Sequence, residues 1–228
     1  VQVGCDVASS EWAVRIAAEH PEVIAAVALH PNDAARLGSD LAPAIDRIEQ
    51  LLVDAHDRVR AVGETGIDHF RTTDPQQQRL QADSFARHIA LAKAYDKTLV
   101  IHDRDAHAEV LDVLAAEGWP DRVVMHCFSG DVDHARACLE HGAWLSYPGV
   151  VTFKANTALQ EAARHTPSDR ILVETDAPYL TPVPARGKPN ASFLVPHTVR
   201  FLAELRGDGL AELCAHLHDN CDRAFGAW

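Results

Sequence analysis

Four side chains that can bind a divalent metal lie at the ends of short apolar runs of the sequence. They are Glu64, His102, His126 and Asp176. Carboxylate oxygens and imidazole nitrogens are ligands that divalent metals accept in proteins. A bound metal also makes coordinated water more acidic. The set therefore predicts a metal site, in which Asp176 could also accept a proton from that water or orient it.

Each of these residues carries little weight alone. A histidine at a strand end is more often a hydrogen-bonded structural residue, and a carboxylate there often caps a helix. Two imidazoles and two carboxylates at nearly consecutive strand ends together favour a metal centre. Mixed ligands of this kind accept Mg²⁺, Mn²⁺ or Zn²⁺, so the sequence predicts a divalent cofactor without choosing among the three.

Seven β-branched apolar runs must position these ligands, and segments of helical periodicity alternate with them. The predicted strands are residues 1–5, 23–29, 59–63, 98–102, 123–126, 144–147 and 171–174. Alternating β and α units predict a parallel sheet with functional groups at the carboxyl ends of its strands. A closed TIM (β/α)8-type barrel has eight strands. Seven runs fit an open sheet or a barrel whose first βα unit is missing from the chain given, and we favour the barrel.

Four helices have clear sequence signals. One begins after Asp74, which can cap it, with Pro75 at the first helical position. A second covers about residues 106–117 and stops at Gly118, a third carries residues 135–139 and stops at Gly142, and a fourth covers 210–221. Several histidines on or beside helical segments are expected at the surface: His20, His56, His88, His134, His165, His216 and His218.

Composition limits the class of protein. The 228 residues, 47% of them hydrophobic, suit one globular domain spanning residues 1–228. A formal net charge of −12 gives no long-range attraction to nucleic acid, so such a substrate would need a local basic patch or a metal. Five widely spaced cysteines and the lack of a signal peptide predict a cytoplasmic protein. No membrane association and no obligate protein partner are indicated.

Five motifs, in this order, resemble the TatD-like metal-dependent deoxyribonucleases over essentially the whole chain. They are Gly63-Glu64-Thr65-Gly66-Ile67-Asp68, Ile101-His102-Asp103-Arg104, His126-Cys127-Phe128-Ser129-Gly130, Glu174-Thr175-Asp176-Ala177-Pro178-Tyr179-Leu180 and Arg186-Gly187-Lys188-Pro189-Asn190. The resemblance implies a TIM barrel that hydrolyses DNA phosphodiesters, commonly as a 3′→5′ exonuclease. It implies Glu64, His102 and His126 as metal ligands, with Asp176 at the metal or acting on the water.

The chain departs from that family at two places. It has no His-x-His pair, which ends the first strand in the family, and we interpret this as the same missing βα unit. We therefore expect the sequence as given to bind at most one metal ion well. His30-Pro31-Asn32 stands where the family usually has His-Pro-His. His30 can still line the site, whereas Asn32 cannot repeat the role of an imidazole.

Basic residues near the predicted ligands are candidates for substrate binding. Arg186 and Lys188 form a short basic loop that could clamp a phosphate, with a solvated loop as the alternative. Arg104 could face the substrate or pair with Asp103 or Asp105. Together with His30, these three basic residues are the predicted contacts to a DNA substrate with single-stranded ends.

The sequence supports more than one function. The first hypothesis is a metal-dependent nuclease, in which Tyr179 or Phe128 could stack on a base, although core packing suits Phe128 better. The second is a metal-dependent hydrolase of another ester, lactone or amide. The third is an inactive scaffold, should the His-x-His unit be truly absent.

Overall fold

The computed structural model describes residues 1–55 and 57–227, in which seven strands alternate with helices. The strands are β1 (Gln2–Val3), β2 (Ala25–Val27), β3 (Val59–Asp68), β4 (Thr98–Arg104), β5 (Val123–His126), β6 (Trp144–Tyr147) and β7 (Ile171–Val173). The helices are α1 (Val7–Glu19), α2 (Pro31–Leu37), α3 (Leu41–Asp54), α4 (Pro75–Ala94), α5 (His107–Glu117), α6 (Val132–Glu140), α7 (Thr157–His165), α8 (Val195–Arg206) and α9 (Leu210–Phe225). All seven predicted strands are present.

The chain forms two compact units. Of the described residues, the first unit contains 1–55, 57–124 and 225–227, and the second contains Met125–Ala224. The assignment of residues 1–228 to one domain stays a prediction.

Strands β1 to β4 of the first unit pair in parallel, in chain order. Every residue of β2 is buried, as expected of a parallel strand covered on both faces. Helix α3 contributes the fully buried side chains of Ile45, Ile48 and Leu52, which recur at helical spacing. This apolar packing supports the strands that carry the candidate site residues of this unit.

Strand β3 is longer than its apolar run indicated. The run predicted a strand of residues 59–63, but the pairing with β4 continues through Thr65↔Ile101 and Asp68↔Arg104, after a shift in register. Glu64 therefore lies inside β3 rather than just after its end, and His102 lies inside β4 rather than at its end, which corrects both predictions. Residues 64–68 include polar residues and a glycine, so they do not form the apolar run by which the strand was predicted. They extend the strand because backbone hydrogen bonds form a ladder whatever the side chains are.

Helices α4 and α5 begin and end close to where their cap signals indicated. The Asp74 carboxylate accepts hydrogen bonds from the backbone N–H groups of Gln76 and Gln77, and Pro75 is the first residue of α4. Helix α5 ends at Gly118, whose φ of +79° favours glycine. The predicted start of α4 after Asp74 and the predicted end of α5 at Gly118 are thus confirmed.

In the second unit, β6 and β7 pair in parallel with Leu145 opposite Ile171. The backbone N–H of Phe128, just after β5, donates to the Ser146 carbonyl of β6. Phe128 is buried and packs against the ring of Tyr147, which confirms core packing for that side chain.

Two predicted ligands lie at the carboxyl ends of strands in this unit. His126 is the last residue of β5, and Asp176 follows Val173, the last residue of β7, by three residues.

Two of the histidines expected at the surface are buried, so that prediction was wrong for His88 and His134. The Nε2 atom of His88 accepts a hydrogen bond from the Leu29 N–H, and its Nδ1 bonds to the Ser84 carbonyl. The His134 ring stacks on Phe128. Both rings contact buried groups, and the spacing of apolar residues along a helix does not predict such contacts. His56, in the same surface prediction, lies outside the described residues.

Among the described residues, no helix is long and apolar enough to cross a membrane.

Candidate metal centre

In the first unit, Glu64 lies between two imidazoles. Its Oε2 atom is 3.6 Å from Nδ1 of His102, and its Oε1 atom is 3.9 Å from Nε2 of His30. One ligand atom from each of the three residues lies within 4.8 Å of the others. All three side chains are mostly buried, yet none is fully enclosed. The pairing of β3 with β4 therefore brings two of the predicted ligands, Glu64 and His102, close to the predicted substrate residue His30.

A buried carboxylate orients His102. The Oδ2 atom of Asp68 is 3.3 Å from Nε2 of His102 and also accepts a hydrogen bond from the Asn32 amide at 2.9 Å. Its Oδ1 atom accepts the Arg71 backbone N–H at 2.8 Å. Burial alone would raise the pKa of Asp68, but the contacts with His102, Arg71 and Asn32 outweigh burial and hold that pKa well below its usual range.

The ionised Asp68 determines which nitrogen of His102 can bind a metal. A carboxylate only accepts hydrogen bonds, so the proton of a neutral His102 ring stays on Nε2, toward Asp68. The lone pair is then on Nδ1, the atom that faces Glu64. This is the arrangement in which a carboxylate behind a histidine fixes the ring as a metal ligand.

His30 has the opposite arrangement. Its Nδ1 atom accepts a hydrogen bond from the Asn32 backbone N–H at 3.1 Å, at the start of α2. A neutral ring therefore carries its proton on Nε2, the atom that faces Glu64. His30 can donate a hydrogen bond into the site, but in this state it offers no lone pair there. Its geometry suits contact with a substrate oxygen better than metal ligation.

The second unit repeats the arrangement found around His102. The Nδ1 atom of His126 is 2.9 Å from Oε2 of Glu174, and its Nε2 atom is 3.8 Å from Oδ1 of Asp176. Glu174 therefore holds the ring proton on Nδ1 and leaves the Nε2 lone pair toward Asp176. The other two predicted ligands, His126 and Asp176, form the second pair.

The spacing of both pairs fits a divalent metal. Two ligands about 2.1 Å from a metal, at a near-tetrahedral angle, lie roughly 3.4 Å apart. The separations are 3.6 Å for Glu64 and His102 and 3.8 Å for His126 and Asp176. Small side-chain shifts would close that difference. The donor set of oxygen and imidazole nitrogen fits Mg²⁺, Mn²⁺ or Zn²⁺.

Asp176 is held by the loop that follows β7. The residue has a φ of +54°, a left-handed conformation that aspartate adopts more readily than most residues, and the N–H of Tyr179 donates to its carbonyl at 2.9 Å. The buried amide of Asn190 donates to the carbonyls of both Thr175 and Tyr179. The backbone on both sides of Asp176 is thus fixed by one side chain.

The predicted basic contacts are stacked on aromatic rings or exposed to solvent. The guanidinium of Arg104 lies 3.9 Å from the centre of the Phe70 ring, and that of Arg186 lies 4.3 Å from the centre of Phe153. Lys188 is exposed. Stacking holds each guanidinium in one orientation and leaves its N–H groups available to an anion.

Sequence reasoning missed the carboxylates behind the two histidines, Asp68 and Glu174. Asp68 stands at an alternate position from Glu64 on β3, where side chains share a face, so a longer predicted strand would have found it. Glu174 stands two residues before Asp176, but only the structure shows its bond to His126. Asn32, set aside as no substitute for an imidazole, instead holds Asp68.

A family model described as TatD related DNase matches residues 1–226. The chain belongs to the TatD-related DNase family. A relative from Mycobacterium tuberculosis, described as an uncharacterized metal-dependent hydrolase TatD, is 46% identical over 229 residues, which cover 99% of this chain and 85% of the relative. The Bacillus subtilis relative YabD, also described as an uncharacterized metal-dependent hydrolase, is 35% identical over 232 residues, or 99% of this chain and 86% of that protein.

Solved structures confirm the predicted TIM-barrel-type α/β fold of this TatD-family hydrolase. The crystal structure of YjjV, a TatD homologue from Escherichia coli, matches with a TM-score of 0.91 and 25% identity, covering 99% of this chain and 85% of that one. A TatD-family hydrolase from Entamoeba histolytica matches with a TM-score of 0.87 at 16% identity, covering 99% of this chain and 84% of that one. Together with the named relatives, these matches identify the chain as a metal-dependent hydrolase of the TatD family.

Proposed function

We propose that this TatD-family hydrolase cleaves DNA phosphodiester bonds, acting as a 3′→5′ exonuclease on single-stranded ends. The observation that carries the proposal is the repeated histidine arrangement. Each ring has a carboxylate behind one nitrogen, and its other nitrogen faces a second carboxylate at 3.6 Å for His102 and 3.8 Å for His126. Such sites suit metal-assisted hydrolysis, and the family description names a DNase.

In this proposal Glu64 and His102 supply metal ligands in the first unit, and His126 and Asp176 supply them in the second. A divalent cation held by such ligands would stabilise negative charge on phosphate oxygens and would acidify water. Mg²⁺, Mn²⁺ and Zn²⁺ all remain candidates, because each accepts mixed oxygen and nitrogen ligands.

The other side chains act on substrate and water. The carboxylate of Asp176, partly exposed, can accept the proton of the attacking water, whose oxygen bonds to phosphorus as the phosphorus–oxygen bond to the leaving group breaks. His30, with its proton on Nε2, can donate a hydrogen bond to a phosphate oxygen. Arg104, Arg186 and Lys188 supply positive charge for the phosphates.

We also propose a cytoplasmic location. No disulfide joins the five cysteines, all of which lie among the described residues, and this fits a reducing compartment. Nothing in the proposed reaction needs a membrane or an obligate protein partner.

The test is cleavage of a 3′-labelled single-stranded oligonucleotide with Mg²⁺ or Mn²⁺. Replacing Glu64 with alanine should lower kcat/KM by more than about a hundredfold, since even residues behind metal ligands cost up to that factor. Glu19→Ala, an exposed carboxylate on α1, is the matched control and should keep full activity. Equal cleavage by wild type and Glu64→Ala would defeat the proposal. A clear preference for ester, lactone or amide substrates would favour a different substrate class.

A further inference from the structure

The loop after β7 exposes two large aromatic rings. Residues 177–194, here called the β7 loop, carry Tyr179, whose exposed fraction is 69%, and Phe193, whose exposed fraction is 77%. Rings of this size are normally at least half buried. Two of them on one loop need a reason for their exposure.

The β7 loop also differs in charge from the rest of the molecule. It contains Arg186 and Lys188 and no acidic residue, whereas the whole chain has a formal net charge of −12. Exposed aromatic rings interleaved with cations match the two parts of a single-stranded nucleic acid. The rings can stack on base faces and the cations can pair with phosphates.

Hydrogen bonds and prolines restrain the backbone of the loop around the two rings. The Asn190 amide binds the Tyr179 carbonyl, and its own backbone N–H donates to the Pro178 carbonyl. The Thr181 hydroxyl donates to the Lys188 carbonyl, and the N–H of Leu194 donates to the Ala191 carbonyl beside Phe193. Four prolines restrict the backbone further: Pro178, Pro182, Pro184 and Pro189. A ring presented on a fixed backbone loses little conformational entropy when it binds a ligand.

Tyr179 is also tied directly to the candidate site. Its backbone N–H donates to the carbonyl of Asp176, and Asn190 binds the carbonyls on both sides of that turn. A base stacked on Tyr179 would therefore lie one turn of chain from a predicted metal ligand. The adjoining phosphate of the same strand could then reach the site.

We propose that Tyr179 and Phe193 form a stacking surface for the unpaired bases of single-stranded DNA at its 3′ end. This inference deepens the proposed function and rests on it for the choice of ligand. In a duplex each base face is covered by its neighbours, so rings of this kind select unpaired bases. The acidic chain disfavours long contact with duplex phosphates, which points the same way.

The first experiment measures binding without cleavage, in EDTA, by fluorescence anisotropy of 5′-fluorescein-labelled dT12. A matched oligonucleotide has abasic residues at its last four 3′ positions. We expect wild type to bind dT12 at least about tenfold more tightly than the abasic strand, given the usual contribution of base–aromatic stacking. Tyr179→Ala and Phe193→Ala should each weaken dT12 binding by roughly fivefold or more and reduce the difference between the two strands.

Conservative and distant variants separate stacking from a loss of structure. Tyr179→Phe and Phe193→Tyr keep an aromatic ring and should bind dT12 as wild type does. Trp12→Ala removes another exposed aromatic side chain, on α1, and should also leave binding unchanged. Unfolding curves of each variant confirm that the fold is intact.

The outcomes distinguish this inference from the proposed function. Equal binding of dT12 and the abasic strand by wild type, unchanged binding by both alanine variants, or no wild-type binding of dT12 would each overturn the stacking surface. If DNA were still cleaved in those cases, the nuclease proposal would stand alone. Conversely, ring-dependent binding without cleavage in Mg²⁺ or Mn²⁺ would support the stacking surface and refute the nuclease.

Discussion

At the scale of single residues, the site depends on the carboxylates that stand behind its histidines. Asp68 is buried, lies 3.3 Å from Nε2 of His102 and receives hydrogen bonds from Asn32 and Arg71. Its charge keeps the Nδ1 lone pair of His102 toward Glu64. Removing that charge should therefore weaken metal binding without removing any predicted ligand.

We expect Asp68→Asn to lower affinity for Mn²⁺ or Zn²⁺ by about 10- to 100-fold, the usual range for a residue behind a ligand. Isothermal titration calorimetry measures this change. Asp46→Asn, on the exposed face of α3, serves as control and should match wild type. Wild-type affinity in Asp68→Asn would show that Asp68 has no part in orienting His102.

His88 makes stability depend on pH. Burial lowers the pKa of its ring to about 4, below an ordinary value of 6.5, because a charged imidazole is disfavoured in the interior. Below pH 6.5 the unfolded chain therefore takes up a proton that the folded chain refuses until about pH 4. The contribution of neutral His88 is present above pH 6.5 and is lost as the pH falls, up to about 3 kcal/mol.

The prediction is tested by urea unfolding between pH 7 and pH 4 in wild type and His88→Gln. Glutamine cannot gain a charge but can accept the Leu29 N–H. The free energy of unfolding should fall less steeply with acid in the variant. Parallel curves would mean that His88 titrates normally.

At the scale of elements, β3 and β4 position Glu64 and His102, and one glycine allows the two strands to lie close together beside His102. Gly66 pairs with His102 and has a φ of +143°. A Cβ atom there would lie 2.0 Å from the His102 carbonyl oxygen. Both the backbone conformation and the space exclude any larger residue.

Gly66→Ala should therefore destabilise the fold by more than about 2 kcal/mol, the range expected from combined steric overlap and strain. It should also weaken metal binding, because His102 must move. Gly209→Ala is the matched control, since its nearest neighbour would be 3.6 Å from the new atom. Chemical unfolding and a metal titration check both effects, and a stable Gly66→Ala chain with normal metal affinity would contradict them.

Apolar runs and cap residues were enough to predict seven strands and the start of α4, because burial and capping leave local signals. They could not predict the extension of β3, whose residues 64–68 are held by backbone pairing with β4. They could not predict the interior places of His88 and His134 either, because each depends on a partner distant in sequence or outside its helix. The ligand types were predictable from strand ends, whereas Asp68 and Glu174 needed coordinates.

At the scale of the whole molecule, metal binding and folding should be linked. The candidate ligands come from residues far apart in sequence, so the unfolded chain cannot assemble them, and a cation that binds only the folded chain stabilises it. At a metal concentration of 100 times Kd, the gain is about 2.7 kcal/mol.

We expect the Tm of the EDTA-treated protein to rise by several degrees on titration with Mn²⁺ or Zn²⁺. The shift should be much smaller for Glu64→Ala and unchanged for Glu19→Ala. Differential scanning fluorimetry provides the measurement. A Glu64→Ala chain that gains as much Tm as wild type would place the stabilising ion at other residues.

The carboxylates beside His102 and His126 should affect how quickly and how selectively the protein binds cations. A ring with a carboxylate against one nitrogen is restrained in its rotation, so its orientation is set during folding and not when an ion arrives. Capture then requires little rearrangement beyond shedding water from the ion. An ion that prefers a different ligand angle meets a ring that cannot turn toward it, so discrimination among metals should be weaker in variants that release the ring than in the native protein.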